Sequence, residues 1–161
     1  MELEITNRIL KNRNYIAQLS LLKELEIDRE FCRHDMDHFL SVARITMHMC
    51  REMGVRADRD LVYAAALLHD IGRTQEMTMG IPHDLAGQAL ADCILSEVNC
   101  PEDMKSRIIG LIAAHRGITK AGDELGRIFC AADKKSRKCF DCPVLERCNW
   151  PDDKKNLYIE V

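Results

Sequence analysis

The chain has few of the residues that favour strands and turns. Aromatic residues make up only 5% of its 161 residues, and it contains four prolines. Segments with the two-residue period of a strand are hard to find, and neither an internal repeat nor a low-complexity linker is visible. Because 47% of the residues are apolar, one compact core can form over this length. The composition therefore favours a single helical domain.

An excess of positive charge and a long apolar run are also missing. The formal net charge is -3, so no overall basic field would hold a nucleic acid by counterion release, and we expect no stable nucleic-acid complex. No apolar run approaches the roughly 20 residues that span a bilayer, and the chain opens with Glu2 and Glu4 instead of a signal sequence. We therefore expect a cytoplasmic protein with no membrane partner.

The spacing of apolar residues predicts an all-α bundle of about six to seven helices. The most apolar helix follows Asp58, a suitable N-cap, and contains the run LVYAAALL, which is typical of a helix buried on every side. A short loop is expected from Arg73 to Gly80. The other predicted helices cover residues 3–26 (one helix or a broken pair), 35–53, a stretch from Pro82, a stretch from Pro101 to about Gly117, and Glu124 to Ser136. Residues 1–137 would form the helical domain, on which an irregular, cysteine-rich extension, 138–161, would pack.

Six residues that can bind a metal lie at predicted helix ends or on apolar faces: His38, His69, Asp70, His83, His115 and Asp133. A single histidine in such a place is usually structural. His69 and Asp70, however, close the most apolar helix, where an unpaired carboxylate would cost several kcal/mol unless a cation balanced it. A metal ion is the simplest such cation. Neighbouring helix residues diverge by roughly 100°, which suits a terminal imidazole beside a bridging carboxylate.

Three segments carry a resemblance to a known family: HFLSVAR from His38, LLHDIGR around His69 and Asp70, and CAADKKSR around Asp133. In this order they resemble the HD superfamily of metal-dependent phosphohydrolases, over about residues 30–137. The resemblance implies a single-domain HD-type helical bundle. It also implies that His38, His69, Asp70 and Asp133 together bind one divalent metal ion.

Two further histidines match the members of this family that hold two ions. His83 in PHDLAGQAL and His115 in IAAHRG look like their ligands for the second ion, with Asp70 bridging both ions, as in the bacterial HD-domain diadenosine tetraphosphatases. We expect iron or manganese, although cobalt, nickel and zinc also suit imidazole and carboxylate ligands. Two divalent ions, two carboxylates and one bridging hydroxide leave a charge of roughly +1 to attract an anionic substrate.

The activity that this resemblance implies is hydrolysis of a phosphate ester or phosphoanhydride. The hydroxide that bridges the ions would be the nucleophile, positioned by Asp70, and the substrate would be a small phosphorylated molecule, a nucleotide or dinucleotide. Arg73, Arg116 and Lys134 are either contacts for its phosphates or solvated surface charges. Arg73 stands where many members carry Lys, which leaves protonation of the leaving group unassigned.

His34 lies one helical turn before His38 in the sequence. It could face the same cavity and orient a metal ligand through a hydrogen bond. The alternative is a surface histidine at a helix N-terminus, beside Asp35 and Asp37.

Eight cysteines occur without an export signal, which favours reduced thiols or metal thiolates over a disulfide framework. Cys139, Cys142 and Cys148 form C-x-x-C followed by a third cysteine, and Cys130 is the candidate fourth ligand. Such a set could hold zinc or an iron–sulfur cluster. The alternative is reduced cysteines that behave as small hydrophobes, with a labile disulfide between Cys142 and Cys148 on oxidation.

Two other functions stay open at the level of sequence. Di-iron oxygenases that resemble myo-inositol oxygenase share the six ligands, so ligand spacing alone does not prove hydrolysis. The third hypothesis is a sensor that holds a nucleotide at the metal site, with the cysteine-rich tail responding to redox or metal status. A homodimer is compatible with the sequence, which carries no signal for the oligomeric state.

Overall fold

The computed structural model describes residues 2–115 and 123–159, and within them every regular element is helical. The α-helices are α1 (Glu4–Lys11), α2 (Arg13–Leu25), α3 (Met36–Glu52), α4 (Arg59–Leu68), α5 (Arg73–Met79), α6 (His83–Glu97), α7 (Glu102–Ala114) and α8 (Glu124–Lys135). None of the helices in the described ranges is long and apolar enough to cross a membrane. The all-α class predicted from the sequence is confirmed.

One detail of the helix pattern differs from the prediction, and a second decides between one helix and a broken pair over residues 3–26. The segment expected as a loop after Gly72 is helix α5, which ends where Gly80 adopts a left-handed conformation with φ 71°. Residues 3–26 form two helices, because the chain becomes extended at Asn12, whose side chain then caps the N-terminus of α2 by accepting from the Tyr15 amide. The described residues therefore contain eight α-helices, against the six to seven expected.

Helix α4 is the centre of the core. Its apolar run from Leu61 to Leu68 is buried except at Tyr63, and α1, α3 and α7 pack around it. Helix α3 contributes a buried stripe that contains Phe39, Val42 and Ala43, and it packs against both α4 and α8. The helix that is apolar on all sides is thus enclosed on all sides, as its composition predicts.

Acidic caps and prolines set where the helices begin. Asp35, Asp58 and Asp123 each accept a backbone N–H in the first turn of α3, α4 and α8. Pro82 and Pro101 directly precede α6 and α7. These starts fix which ends of the helices meet, and the ends of five helices converge on one place.

Residues 138–159 contain three short 3₁₀ turns, Cys139–Asp141, Leu145–Arg147 and Asp152–Lys154. Specific contacts hold this tail to the helices. The Asn156 amide donates to the carbonyl oxygens of Lys134 and Arg137, and the Arg137 guanidinium lies 4.3 Å from the centre of the Trp150 ring. The tail therefore covers the C-terminal end of α8.

Candidate metal centre

The six predicted ligands come together from five helices. His38 lies in the first turn of α3, and Asp133 in the last turn of α8. The others adjoin helix ends: His69 and Asp70 follow α4, His83 begins α6, and His115 follows α7. The structure forms two ligand groups, one of His38, His69, Asp70 and Asp133 and one of Asp70, His83 and His115. Asp70 belongs to both.

The first group surrounds one oxygen of Asp70. Asp70 Oδ2 lies 3.0 Å from His69 Nε2 and 3.3 Å from His38 Nε2, and these two nitrogens are 3.2 Å apart. Asp133 Oδ1 completes the group at 3.5 Å from His38 Nε2 and 3.7 Å from His69 Nε2. Ligand atoms about 2.1 Å from a shared ion lie roughly 3.0 to 3.5 Å apart, so this spacing fits a single ion.

The second group faces the other oxygen of Asp70. Asp70 Oδ1 lies 3.9 Å from Nε2 of both His83 and His115, and these two nitrogens are 3.2 Å apart. The carboxylate therefore directs one oxygen to each group. This arrangement fits a carboxylate that bridges two ions, the role that the family resemblance implies for Asp70.

Hydrogen bonds to the far side of each histidine ring fix which nitrogen is free to bind metal. His69 Nδ1–H donates to the carbonyl oxygen of Ala66 at 2.8 Å, and His115 Nδ1–H donates to that of Ile112. Both bonds reach back three residues to the end of the preceding helix, so each histidine also satisfies a terminal helix carbonyl. The Nε2 lone pairs are left pointing into the centre.

His38 and His83 are oriented by side chains. The Ser136 hydroxyl donates to the Asp133 carbonyl at 2.7 Å, so it accepts from His38 Nδ1–H, which lies 3.1 Å away. His83 Nδ1–H donates to Glu76 Oε2 at 2.8 Å. Four imidazoles thus direct Nε2 into the centre, and these nitrogens form two pairs that face each other at 3.2 Å. Facing lone pairs repel unless a cation lies between them, so the donor set itself fits metal ions.

The centre is buried and strongly charged. Asp70 is 2% exposed and His69 is fully buried. Burial opposes protonation of His69, but the Asp70 and Asp133 carboxylates outweigh it and raise the pKa of His69 to about 10. Burial and the nearby charge of His69 lower the pKa of His115 to about 4, which keeps it neutral. The two aspartates thus stabilise a positive charge between them. Without metal this charge is the proton on His69, and a bound metal ion would replace that proton.

The three residues predicted to contact the substrate differ in how close they lie to the candidate ligands. Arg73 Nε donates to Asp70 Oδ1 at 2.8 Å, with its side chain 23% exposed at the second ligand group. Lys134 is exposed on α8, one residue after Asp133. Arg116 lies outside the described residues. Of the two predicted contacts that lie within the described residues, Arg73 is the one that touches a candidate metal ligand.

His34 is buried, not a surface residue, and its Nε2 lies 3.8 Å from Asp70 Oδ2. Its Nδ1–H donates to Glu26 Oε1 at 2.6 Å, and its backbone N–H donates to the other oxygen of the same carboxylate at 2.8 Å. Burial of Glu26 raises its pKa, but these bonds and the charge of His34 outweigh that effect and lower it. His34 is placed to orient Asp70, and that role stays a prediction.

Sequence reasoning missed three supporting residues: Glu26, Glu76 and Ser136. Glu26 lies in a charged stretch typical of solvated surface, Glu76 lies in the short polar segment that was predicted as a loop, and Ser136 follows the last helix without a distinctive pattern. Each contacts a histidine through tertiary packing, for which the sequence carries no local signal. Ser136 is a partial exception, because its position one helical turn after Asp133, a predicted ligand, is a local signal in the sequence.

The cysteines do not group as expected. Cys130 is buried and donates to the His115 carbonyl oxygen at 3.2 Å, so it supports the end of α7. Cys139, Cys142 and Cys148 lie in the tail, and none of the eight cysteines forms a disulfide. The thiol of Cys32, a cysteine that was not among the predicted ligands, lies within electrostatic range of Cys139 and Cys142.

This all-helical fold, with histidines and aspartates converging from five helix ends, defines a class of metal-binding domain, and comparisons identify the family. The HD domain model matches residues 36–138. The chain belongs to the HD domain family, whose members are in general metal-dependent phosphohydrolases. No solved structure gives a significant match.

Similar proteins include one that spans the same length. An uncharacterized protein of Clostridium beijerinckii (strain ATCC 51743 / NCIMB 8052) is 35% identical over 153 residues, which cover 95% of this chain and 96% of that protein. Ribonuclease Y of Acetivibrio thermocellus is 28% identical over 116 residues, or 72% of this chain, and ribonuclease Y of Sulfurovum sp. is 29% identical over 118 residues, or 73%. The match covers only 20% and 21% of these two ribonucleases.

Proposed function

We propose that this protein is a metal-dependent phosphohydrolase that cleaves a phosphate ester or phosphoanhydride of a nucleotide or dinucleotide. The observation that carries the proposal is the division of Asp70 between two ligand groups, one on each carboxylate oxygen. His38, His69, Asp70 and Asp133 would hold one divalent ion and Asp70, His83 and His115 a second, with iron or manganese the metals that we favour. When bound, the ions would supply a hydroxide nucleophile near neutral pH and balance charge on the phosphoryl oxygens.

The protein's own residues provide orientation and exclude water. Backbone carbonyls, Ser136 and Glu76 keep the four imidazoles in the ligating tautomer. The rings of Phe39 and Phe129 pack edge-on against His69, at 5.6 and 5.8 Å between centroids, which leaves that wall of the centre apolar. No side chain of the protein is then needed as nucleophile.

Arg73 is the best-supported contact for a substrate phosphate. In the structure its guanidinium is the charge partner of Asp70 at the second ligand group. A divalent ion bound there would compensate Asp70 and leave the forked guanidinium to bind a phosphate oxygen pair. Lys134 and Arg116 are proposed as further contacts. The ribonuclease Y relatives are named for action on a phosphodiester, which is consistent with the reaction class but does not fix this substrate.

An activity assay with matched variants tests the proposal. Protein reconstituted with manganese or ferrous iron is expected to release phosphate from nucleotides or diadenosine polyphosphates, or p-nitrophenol from p-nitrophenyl phosphates. Asp70→Asn should lose activity by about 10³-fold or more, because the bridging charge is removed. His48→Ala, a change at an exposed histidine on α3, should keep it.

Two results would overturn the proposal. One is a metal-loaded protein that cleaves no member of the panel; the other is an Asp70→Asn variant as active as the unchanged protein. Metal-dependent oxygen consumption with no phosphate release would indicate the oxygenase alternative. Tight nucleotide binding without turnover would indicate the sensor.

A further inference from the structure

Four cysteines lie on two distant segments of the sequence that an ion pair brings together. Cys32 lies in the segment between α2 and α3, and the others form the spacing C-x₂-C-x₅-C in the tail: Cys139, Cys142 and Cys148. The metal centre uses none of them. The four therefore need a separate explanation.

A bidentate ion pair fastens the two segments together. Both terminal nitrogens of Arg147 lie 2.9 Å from the carboxylate oxygens of Glu30. Arg147 directly precedes Cys148, and Glu30 lies two residues before Cys32. The pair thus fixes the tail against the segment that carries the fourth cysteine.

The thiols are close enough to influence one another. Burial raises the pKa of the Cys32 thiol, and the neighbouring thiols of Cys139 and Cys142 raise it further, against the effect of Arg137. The pKa of Lys155 is raised first by its hydrogen bond to Asp152 and in addition by Cys148 and Cys139. Cys32 thus lies within electrostatic range of Cys139, Cys142 and Arg137, and Lys155 lies within that of Cys139 and Cys148.

The other four cysteines are placed elsewhere. Cys50 is buried in α3, Cys130 donates to the His115 carbonyl, Cys93 is exposed on α6 and Cys100 follows that helix. In the group of four, Cys139 is buried, Cys142 and Cys148 are half-buried and Cys32 is exposed. The group therefore lies near the surface, where a preformed inorganic cofactor can be inserted.

We propose that Cys32, Cys139, Cys142 and Cys148 bind an iron–sulfur cluster that joins the tail to the segment before α3. Four thiolates are the usual ligand set of such a cluster. As each thiol bonds to iron it gives its proton to solvent, and the thiolate that held that iron on the cluster's carrier leaves and takes up a proton, so insertion of a preformed cluster is ligand exchange without a change of oxidation state. Arg137 and Lys155 offset the negative charge that four thiolates bring.

Spacing favours a cluster over a single zinc ion. Sulfurs that share a zinc ion at about 2.3 Å lie roughly 3.8 Å apart. Within the described ranges, no three of these four sulfurs come within 4.8 Å of one another. A cluster, in which each sulfur binds a different iron or edge of the core, accommodates wider separations.

The test uses the full-length protein with the His/Asp centre disabled. In an Asp70→Asn background, chains purified without oxygen and reconstituted with ferric iron, sulfide and a thiol reductant that sets the final oxidation level should hold iron and acid-labile sulfide in about equal amounts, two to four per chain. A broad visible absorbance that dithionite bleaches should accompany them. Sulfide and this absorbance come from the cluster alone, so the result does not depend on the proposed hydrolase activity.

Variants decide which thiols are used. Cys32→Ser and Cys142→Ser should each lose most of the labile sulfide, while Cys93→Ser, a change at an exposed cysteine on α6, should retain it. Far-UV circular dichroism of each variant separates loss of the cluster from loss of the fold. Absence of labile sulfide in the parent, one tightly bound zinc per chain in its place, or full cluster content in folded Cys32→Ser would overturn the proposal.

Discussion

At the scale of single residues, the metal centre depends on side chains that are not themselves metal ligands. His34 and Glu26 illustrate this, because the buried carboxylate accepts two hydrogen bonds from one histidine that in turn lies 3.8 Å from Asp70. A buried carboxylate stays charged only if such bonds outweigh the cost of desolvation. The lowered pKa of Glu26 shows that they do.

This pair predicts a pH-dependent contribution to stability. Because the folded-state pKa of Glu26 lies below its value in the unfolded chain, its contribution is present above the unfolded value and is lost as pH falls through the folded one. Glu26→Gln should lower the free energy of unfolding by about 1 to 3 kcal/mol at pH 7. Urea denaturation from pH 7 to pH 3 should show the difference between the two proteins shrinking with acid.

A change at an exposed carboxylate controls for general charge effects. Glu24→Gln, on the exposed face of α2, should change stability by less than about 0.5 kcal/mol at every pH. A difference between Glu26→Gln and the parent that stays constant down to pH 3 would contradict the assignment. The six candidate ligands could be singled out because they lie at helix ends or on apolar faces, whereas Glu26, in a charged stretch, and Glu76, in a short polar segment, could not.

At the scale of elements, a close approach of two helix ends builds the second ligand group. The backbone at Gly72, just after α4, meets the start of α6: a Cβ at Gly72 would lie 2.1 Å from the His83 carbonyl oxygen and 2.3 Å from the Gly87 nitrogen. The sequence explains a glycine here only as a helix stop. Its structural reason, contact with a helix that begins 11 residues later, needs the tertiary fold.

Gly72→Ala should therefore be destabilising and should also damage metal binding. The methyl group must push α6 away, at a cost of about 3 kcal/mol or more, and His83 moves with the first turn of that helix. Thermal or urea unfolding gives the first effect. Metal analysis measures the effect on metal binding, and the variant should hold one ion per chain where the parent holds two.

A second glycine provides the matched control. A Cβ at Gly110, in the middle of α7, would meet no atom within 4 Å. Gly110→Ala should keep both ions and stabilise the protein by about 0.5 to 1 kcal/mol, because alanine favours helix. Equal behaviour of the two variants would refute the close-approach argument.

Helix α5 shows the limit of periodicity at the same scale. Its sequence, RTQEMTM, has no apolar stripe, so the pattern suggested a loop. The helix is stabilised instead by tertiary contacts, since the buried Thr74 hydroxyl bonds to Gln18 of α2, and it carries Glu76 to His83. Longer helices with apolar stripes were predicted within a few residues of their observed ends.

At the scale of the whole molecule, the metal ligands link helices that are far apart in sequence. They are drawn from α3, α8 and the ends of α4, α6 and α7, so binding of metal should stabilise the entire fold against unfolding. A ligand at 100 times its Kd adds about 2.7 kcal/mol per site. For a chain of this size, that corresponds to a rise in Tm of roughly 5 to 10 °C per ion.

Chelated protein titrated with manganese should therefore show two increments in Tm, one for each ligand group. His115→Ala removes a ligand of the second group only, so it should keep the first increment and lose the second, whatever its starting Tm. His48→Ala, at an exposed histidine outside both groups, should show both increments. If His115→Ala gained as much from metal as the parent, the two groups would not be separate ion sites, and Asp70 would have no bridging role.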